Sequence, residues 1–154
     1  MTKEQFDQQV ISLEKVLYNV AYNMLPNPED RADAVQESIK KAIIKRDMLR
    51  NDQYLKTWLI RILINECHNI QRVNKRTEPR VYIDEALPDF ADRDLLYALQ
   101  QLESNHRLPI VLHHISGYST KEVAAILRVP EGTVKYRLVR GRKILQSILE
   151  EKEA

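Results

Sequence analysis

The chain has 154 residues, 44% of them hydrophobic and 30% charged, with a formal net charge of +2. That length fits one ordinary domain or two small ones, and the composition is too apolar for a disordered chain. A single cysteine excludes an intrachain disulfide scaffold, the longest apolar run (residues 123–127) is far too short to cross a membrane, and the scarcity of glycine favours helices over a sheet.

Phe6, Val10, Leu13, Leu17, Val20 and Met24 alternate spacings of four and three, which predicts one amphipathic helix from about residue 3 to 24, ended by Leu25-Pro26. Asn27-Pro28-Glu29-Asp30 reads as the start of a second helix: Asn27 as cap, Pro28 in the first turn, two acids at the positive end of the dipole. Ala32, Val35, Ile39 and Ile43 mark its expected buried face, to about residue 46. A polar loop, residues 47–53, follows. A third helix is expected over residues 54–72, with Leu55, Trp58, Leu59, Ile62 and Leu63 facing the core. Arg61, Asn65, Asn69 and Arg72 recur at spacings of four, four and three, so they share one face of it. Trp58 is read as core. Residues 77–91 contain two prolines and most of the local acids and have no sustained periodicity, which reads as a flexible linker between two small helical domains, residues 1–76 and 92–154.

The charge distribution says more than the total. Residues 121–143 hold seven bases against two acids, a net of +5, and residues 83–94 hold five acids against one base, a net of −4. A strongly basic end in a near-neutral chain points to a polyanion. Leu95, Leu96, Leu99 and Leu102 mark one helix near the start of the second unit, and residues 108–115 a short second one, broken at Gly117. Ser119 and Glu122 form the two ends of a capping box for a brief helix to Leu127. Arg128-Val129-Pro130 is the turn, and the last helix is expected over residues 130–149. A short capped helix, a three-residue turn and a basic helix make a helix-turn-helix pattern.

On a helical wheel, Val134, Leu138, Gly141 and Leu145 form one narrow inward stripe. Gly132, Tyr136, Val139, Arg140 and Lys143 fall opposite, flanked by Thr133 and Lys135. Such a face suits the major groove, where Arg140 can donate to guanine and Val139 can touch a thymine methyl. Arg137, Arg142 and Lys121 are placed for phosphates, and the backbone N–H groups at Ser119-Thr120 can add donors to one. His113 and His114 are read as pointing to different sides. With His106 and Cys67 they show no metal-ligand spacing, so no metal or cofactor is expected. No nucleophile-base pattern or phosphate loop marks an enzyme or a small-molecule substrate. Met1 to Gln5 lack the apolar segment of a secretory signal, so a cytoplasmic protein is expected.

Tyr118-Ser119-Thr120-Lys121-Glu122-Val123-Ala124 followed by residues 132–142, Gly-Thr-Val-Lys-Tyr-Arg-Leu-Val-Arg-Gly-Arg, resembles the second DNA-binding domain of extracytoplasmic-function (ECF) sigma factors. The N-terminal half agrees: residues 30–37 resemble the helix by which these proteins dock on RNA polymerase, and residues 58–65 with Arg72 resemble their promoter-melting segment. The resemblance implies that the first domain binds core polymerase through Asp30, Asp33, Gln36 and Glu37. It also implies that this domain opens the −10 element through Arg50, Asn51, Arg61, Asn65, Asn69 and Arg72, the 47–53 loop receiving a flipped base. The second domain would read the −35 element, and an anti-sigma factor, held at the membrane, is the implied controlling partner. Tyr136 stands where the family usually has serine, Ala32 where it usually has an acid, Ala34 where it has leucine and Leu55 where it has phenylalanine. A stand-alone helix-turn-helix regulator and a protein-binding adaptor that has lost DNA binding are the competing readings. The first predicts footprinting without polymerase, and the bases Lys135, Arg137 and Arg140 argue against the second.

Overall fold

The computed structural model describes residues 1–75 and 93–153, and among these every regular element is a helix. The chain divides into two compact units between Ala86 and Leu87. That division, and the predicted linker 77–91 around it, lie outside the described residues.

The N-terminal unit contains α1 (Lys3–Ser12), α2 (Glu14–Tyr22), α3 (Pro28–Ile44) and α4 (Leu55–Asn74). Thr2 caps α1 through a capping box with Gln5, a signal the apolar spacing does not carry. The single helix expected over residues 3–24 is broken at Leu13, whose backbone (φ −90°, ψ 0°) leaves the helical region. The apolar face runs on across the break, with Phe6, Val10, Leu17 and Val20 buried on either side, which is why its spacing hides the kink. Asn27 caps α3 as predicted, its Oδ1 accepting the Glu29 N–H at 2.9 Å.

The buried face of α3 differs from the predicted stripe. Arg31, Ala34, Val35, Ser38 and Ala42 are buried, while Ala32, Ile39 and Ile43 are half-exposed. Small residues on this face allow α3 and α4 to approach closely, and Ser38 satisfies its hydroxyl on the Ala34 carbonyl at 2.6 Å. Arg31 is buried because its guanidinium has partners. Nε donates to the Leu25 carbonyl at 2.6 Å, Nη2 donates to that of Pro26 at 3.0 Å, and the group lies 4.1 Å over the Tyr22 ring. It thereby pins the α2–α3 connection.

α3 and α4 run antiparallel. Asn74 donates to Asp30 at one end of the pair, and Lys41 is hydrogen-bonded to Glu66 farther along. On α4, Leu55, Leu59, Ile60, Leu63, Ile64 and Cys67 are buried, whereas Trp58 and Ile62 are only half-buried. Trp58 thus rims the core rather than filling it, its ring packed edge-on against Phe6 at 6.2 Å. Burial pushes the Cys67 thiol up to about 12, with the Glu66 charge adding to the effect, so the group is an inert core side chain.

The C-terminal unit contains α5 (Arg93–Gln101), α6 (Ser104–Ile110), α7 (Thr120–Leu127) and α8 (Glu131–Glu153). α6 begins four residues before the expected start and widens into a π-helical turn over Val111–Ile115. Pro109, which the sequence reading places at a helix start, sits inside α6, where its missing N–H forfeits one helical bond. Gly117, at φ +80°, makes the turn that follows.

Candidate nucleic-acid interface

The α7–turn–α8 segment is built from local signals. Ser119 Oγ accepts the Glu122 N–H at 3.0 Å, and the Ser119 N–H donates to the Glu122 carboxylate at 3.0 Å, so the predicted capping box forms. The box occupies the Ser119 N–H that the sequence reading also offered to a phosphate, which leaves the next amides in the turn for that purpose. α7 ends at Arg128 in the left-handed region (φ 58°, ψ 45°), and Val129 donates back to Ala124 at 3.1 Å. That reversal redirects the chain into α8.

The wheel assignment for α8 holds at three of the four inward positions; the fourth, Leu145, is only half-buried, toward the end of the helix. Val134 is fully buried, Leu138 is 3% exposed and Gly141 is buried, while Tyr136 is 67% and Val139 46% exposed. Gly132, Lys135, Arg140 and Lys143 are exposed, and Thr133 and Arg137 are half-buried at the flanks. Gly141 is required by a helix crossing. A Cβ there would stand 2.8 Å from Ile110 Cδ1 and 3.3 Å from the His106 carbonyl oxygen. Gly141→Leu is therefore expected to destabilise the unit by about 2 kcal/mol, the usual cost of overpacking, despite the better helix propensity of leucine. A thermal melt of the full chain followed by circular dichroism checks this; an unchanged or raised transition would show that α6 and α8 do not meet at this glycine.

Glu131 and His114, to which the sequence reading gave no part in this surface, also join it. Glu131 accepts from the Thr120 hydroxyl at 2.9 Å and lies 3.7 Å from Lys135 Nζ, tying the N-termini of α7 and α8 together. The sequence signal was the four-residue offset from Glu131 to Lys135. Arg142 donates to His114 Nε2 at 3.3 Å. His114 is held below its usual pKa, first by burial and then by the charges of His113 and Arg142, so it is neutral when it accepts this bond. The two histidines do not point apart: their rings meet edge-on at 4.8 Å, because the widened π turn brings them together, and His113 Nδ1 is hydrogen-bonded to the Tyr118 carbonyl at 2.7 Å. Among the described residues no group of His, Cys, Asp or Glu is arranged to hold a metal ion. Lys121, Arg140 and Lys143 have no carboxylate partner among the described residues, so their charge is available to a ligand.

In the N-terminal unit, Asn65, Asn69 and Arg72 line a shallow depression with His68, Gln71 and Lys75. Arg72 is hydrogen-bonded to Asn69, and Gln71 Nε2 donates to the Met24 carbonyl at 2.8 Å, which fixes the rim. The spacing from Asn65 to His68 to Asn69 already carried His68. Arg61 is half-buried one turn earlier and outside this depression. Arg50 and Asn51 stand at the opposite end of α4, a helix of 20 residues and thus about 30 Å long. The 47–53 loop has more structure than expected: 3-10 turns at Arg46–Met48 and Asp52–Tyr54, the second capped by Asn51 Oδ1 on the Gln53 N–H at 3.0 Å. Asp33, Gln36 and Glu37 line a second depression with Lys40, Glu66 and Ile70. Asp30 lies outside that depression, bound to Asn74 at 3.1 Å. Lys40 follows Asp33, Gln36 and Glu37 at helical spacing on α3, a signal the sequence carried, whereas Glu66 and Ile70 join this surface only once α3 and α4 pack.

Residues 10–77 match the family model for sigma-70 region 2, and residues 92–145 match that for sigma-70, region 4. The RNA polymerase sigma factor SigV of Bacillus subtilis is 31% identical over 137 residues, covering 84% of this chain and 81% of its own. The ECF RNA polymerase sigma factor SigW of the same organism is 31% identical over 157 residues, covering 86% and 82%. This chain belongs to the ECF RNA polymerase sigma factors. The solved sigma factor RpoE of Bartonella quintana, crystallised with the anti-sigma factor NepR, superposes on it with a TM-score of 0.83 at 29% identity, over 96% of this chain and 98% of that one. As a sigma factor the chain serves promoter-specific initiation of transcription by RNA polymerase.

Proposed function

We propose that the two units of this sigma factor divide the promoter between them. Residues 92–154 read the −35 element as duplex through Lys135, Tyr136, Val139, Arg140 and Lys143, with Gly132 and Thr133 leaving room at the start of α8. Lys121, Arg137 and the turn at Ser119 hold phosphates. Residues 1–76 dock on core polymerase through the depression of Asp33, Gln36 and Glu37, with Asp30 beside it. They hold the opened −10 strand along Asn65, Asn69 and Arg72, with Arg61 one turn away and Arg50 and Asn51 at the far end of α4. Residues 77–91 join the two. No catalytic group is needed: binding energy offsets the cost of unstacking, about a few kcal/mol per flipped base. The protein works in the cytoplasm with core polymerase and promoter DNA, and an anti-sigma factor controls it; the Bartonella quintana relative is solved in complex with one.

The observation that carries this reading is the orientation of α8. Its inward residues Val134, Leu138 and Gly141 are buried and its aromatic and basic face is open to solvent. Footprinting with and without core polymerase tests it. Protection of −35 and −10 segments only in the presence of polymerase supports the reading, and protection of a palindrome by the chain alone supports a stand-alone regulator instead. In the same assay Arg140→Ala is expected to cost about 1–3 kcal/mol at the cognate site and to relax base choice at one position. Equal loss on every sequence would make Arg140 a phosphate contact.

A further inference from the structure

Tyr136 and Val139 are the two large apolar side chains most open to solvent on α8, at 67% and 46% exposure. They stand three residues apart, neighbours on one helical face. Arg140 and Lys143 lie beside them, exposed and unpaired among the described residues, with Lys135 on the other flank. An apolar pair ringed by bases matches the DNA major groove, whose one apolar feature is the thymine C5-methyl. The residues are separated by about 4.5 Å along the helix axis, against about 3.4 Å between base steps, so the pair spans neighbouring steps.

We propose that Tyr136 and Val139 together form a methyl reader, selecting thymine at two neighbouring positions of the −35 element, with the base read by Arg140 next to them. Tyr136 acts through its ring: it covers one methyl while Val139 covers the other. This inference rests on the −35 reading of α8.

The test uses the full chain bound to core RNA polymerase and a promoter library randomised across the −35 element. The chain is expected to enrich thymine at two neighbouring positions. Tyr136→Phe keeps both preferences, Tyr136→Ser loses one and Val139→Ala loses the other. Replacing each selected thymine by deoxyuridine, which lacks only the methyl, is expected to weaken binding about fourfold, the worth of one buried methyl group. That penalty disappears for the matching variant. Selection at −35 positions without thymine overturns the proposal, as does a deoxyuridine penalty that persists unchanged in Tyr136→Ser and Val139→Ala. Loss of the preference in Tyr136→Phe also overturns it, since the hydroxyl would then be the reading group. Absence of selection at every −35 position overturns the −35 reading itself and points to a protein partner for this face.

Discussion

Replacing Leu138 by aspartate is expected to unfold the C-terminal unit and leave the N-terminal one folded. Leu138 is 3% exposed and lies in the stripe that packs α8 inward. Truncating a buried leucine costs about 2–5 kcal/mol, and an unpaired buried charge adds several more. A unit of this size holds on the order of 3–9 kcal/mol in total, so the substitution removes all of it. Circular dichroism of the full chain should lose roughly half its helical signal, because the helices of the two units have similar total length. Leu138→Met keeps the volume and should cost under about 1.5 kcal/mol. A full helical signal for Leu138→Asp would mean that this side of α8 faces solvent, and the groove-facing assignment of Tyr136 and Arg140 would be lost with it.

The second large effect concerns the proposed docking surface. Asp33 is exposed and Glu37 half-buried on the same side of α3, one turn apart, and both line the depression with Gln36 and Lys40. Reversing both charges, Asp33→Lys with Glu37→Lys, is expected to weaken association with core polymerase by more than about a hundredfold, since losing one partner of a desolvated charge pair costs about 2–5 kcal/mol. Neither side chain belongs to the core, and lysine suits a helix interior, so the melting transition of the N-terminal unit should move little. Co-purification with core enzyme at the level of the unsubstituted chain would refute the docking role. A collapsed melting transition would assign these residues to the fold instead.

How much of this was legible in the sequence differs from element to element. The helix-turn-helix was legible because its signals are local: the Ser119–Glu122 box, the turn at Arg128 and a stripe repeating every three to four residues. The break at Leu13 was not, because apolar spacing continues across a kink that only the backbone reveals. The face of α3 was misread because alanine, serine and a buried arginine line it: Arg31 becomes a core residue only when the Leu25 and Pro26 carbonyls and the Tyr22 ring are in place. The start of α6 at Ser104 was missed because residues 104–107, Ser-Asn-His-Arg, carry no apolar periodicity to mark a first turn. The two depressions were half legible. Residues on one helix, Asn65, Asn69 and Arg72, share a face that spacing predicts. Glu66 and Ile70 come from α4 to a surface begun by α3, and no one-dimensional pattern encodes that meeting.

The claim that all of this serves is that the chain directs RNA polymerase to chosen promoters through two separate contacts with DNA. Run-off transcription with purified core polymerase, the full chain and fragmented genomic DNA measures it most directly. Discrete transcripts are expected to appear only with both proteins present and to vanish when either the −35 or the −10 segment upstream of the start is scrambled. Transcripts that survive scrambling of the −35 segment, or none above core polymerase alone, would contradict it.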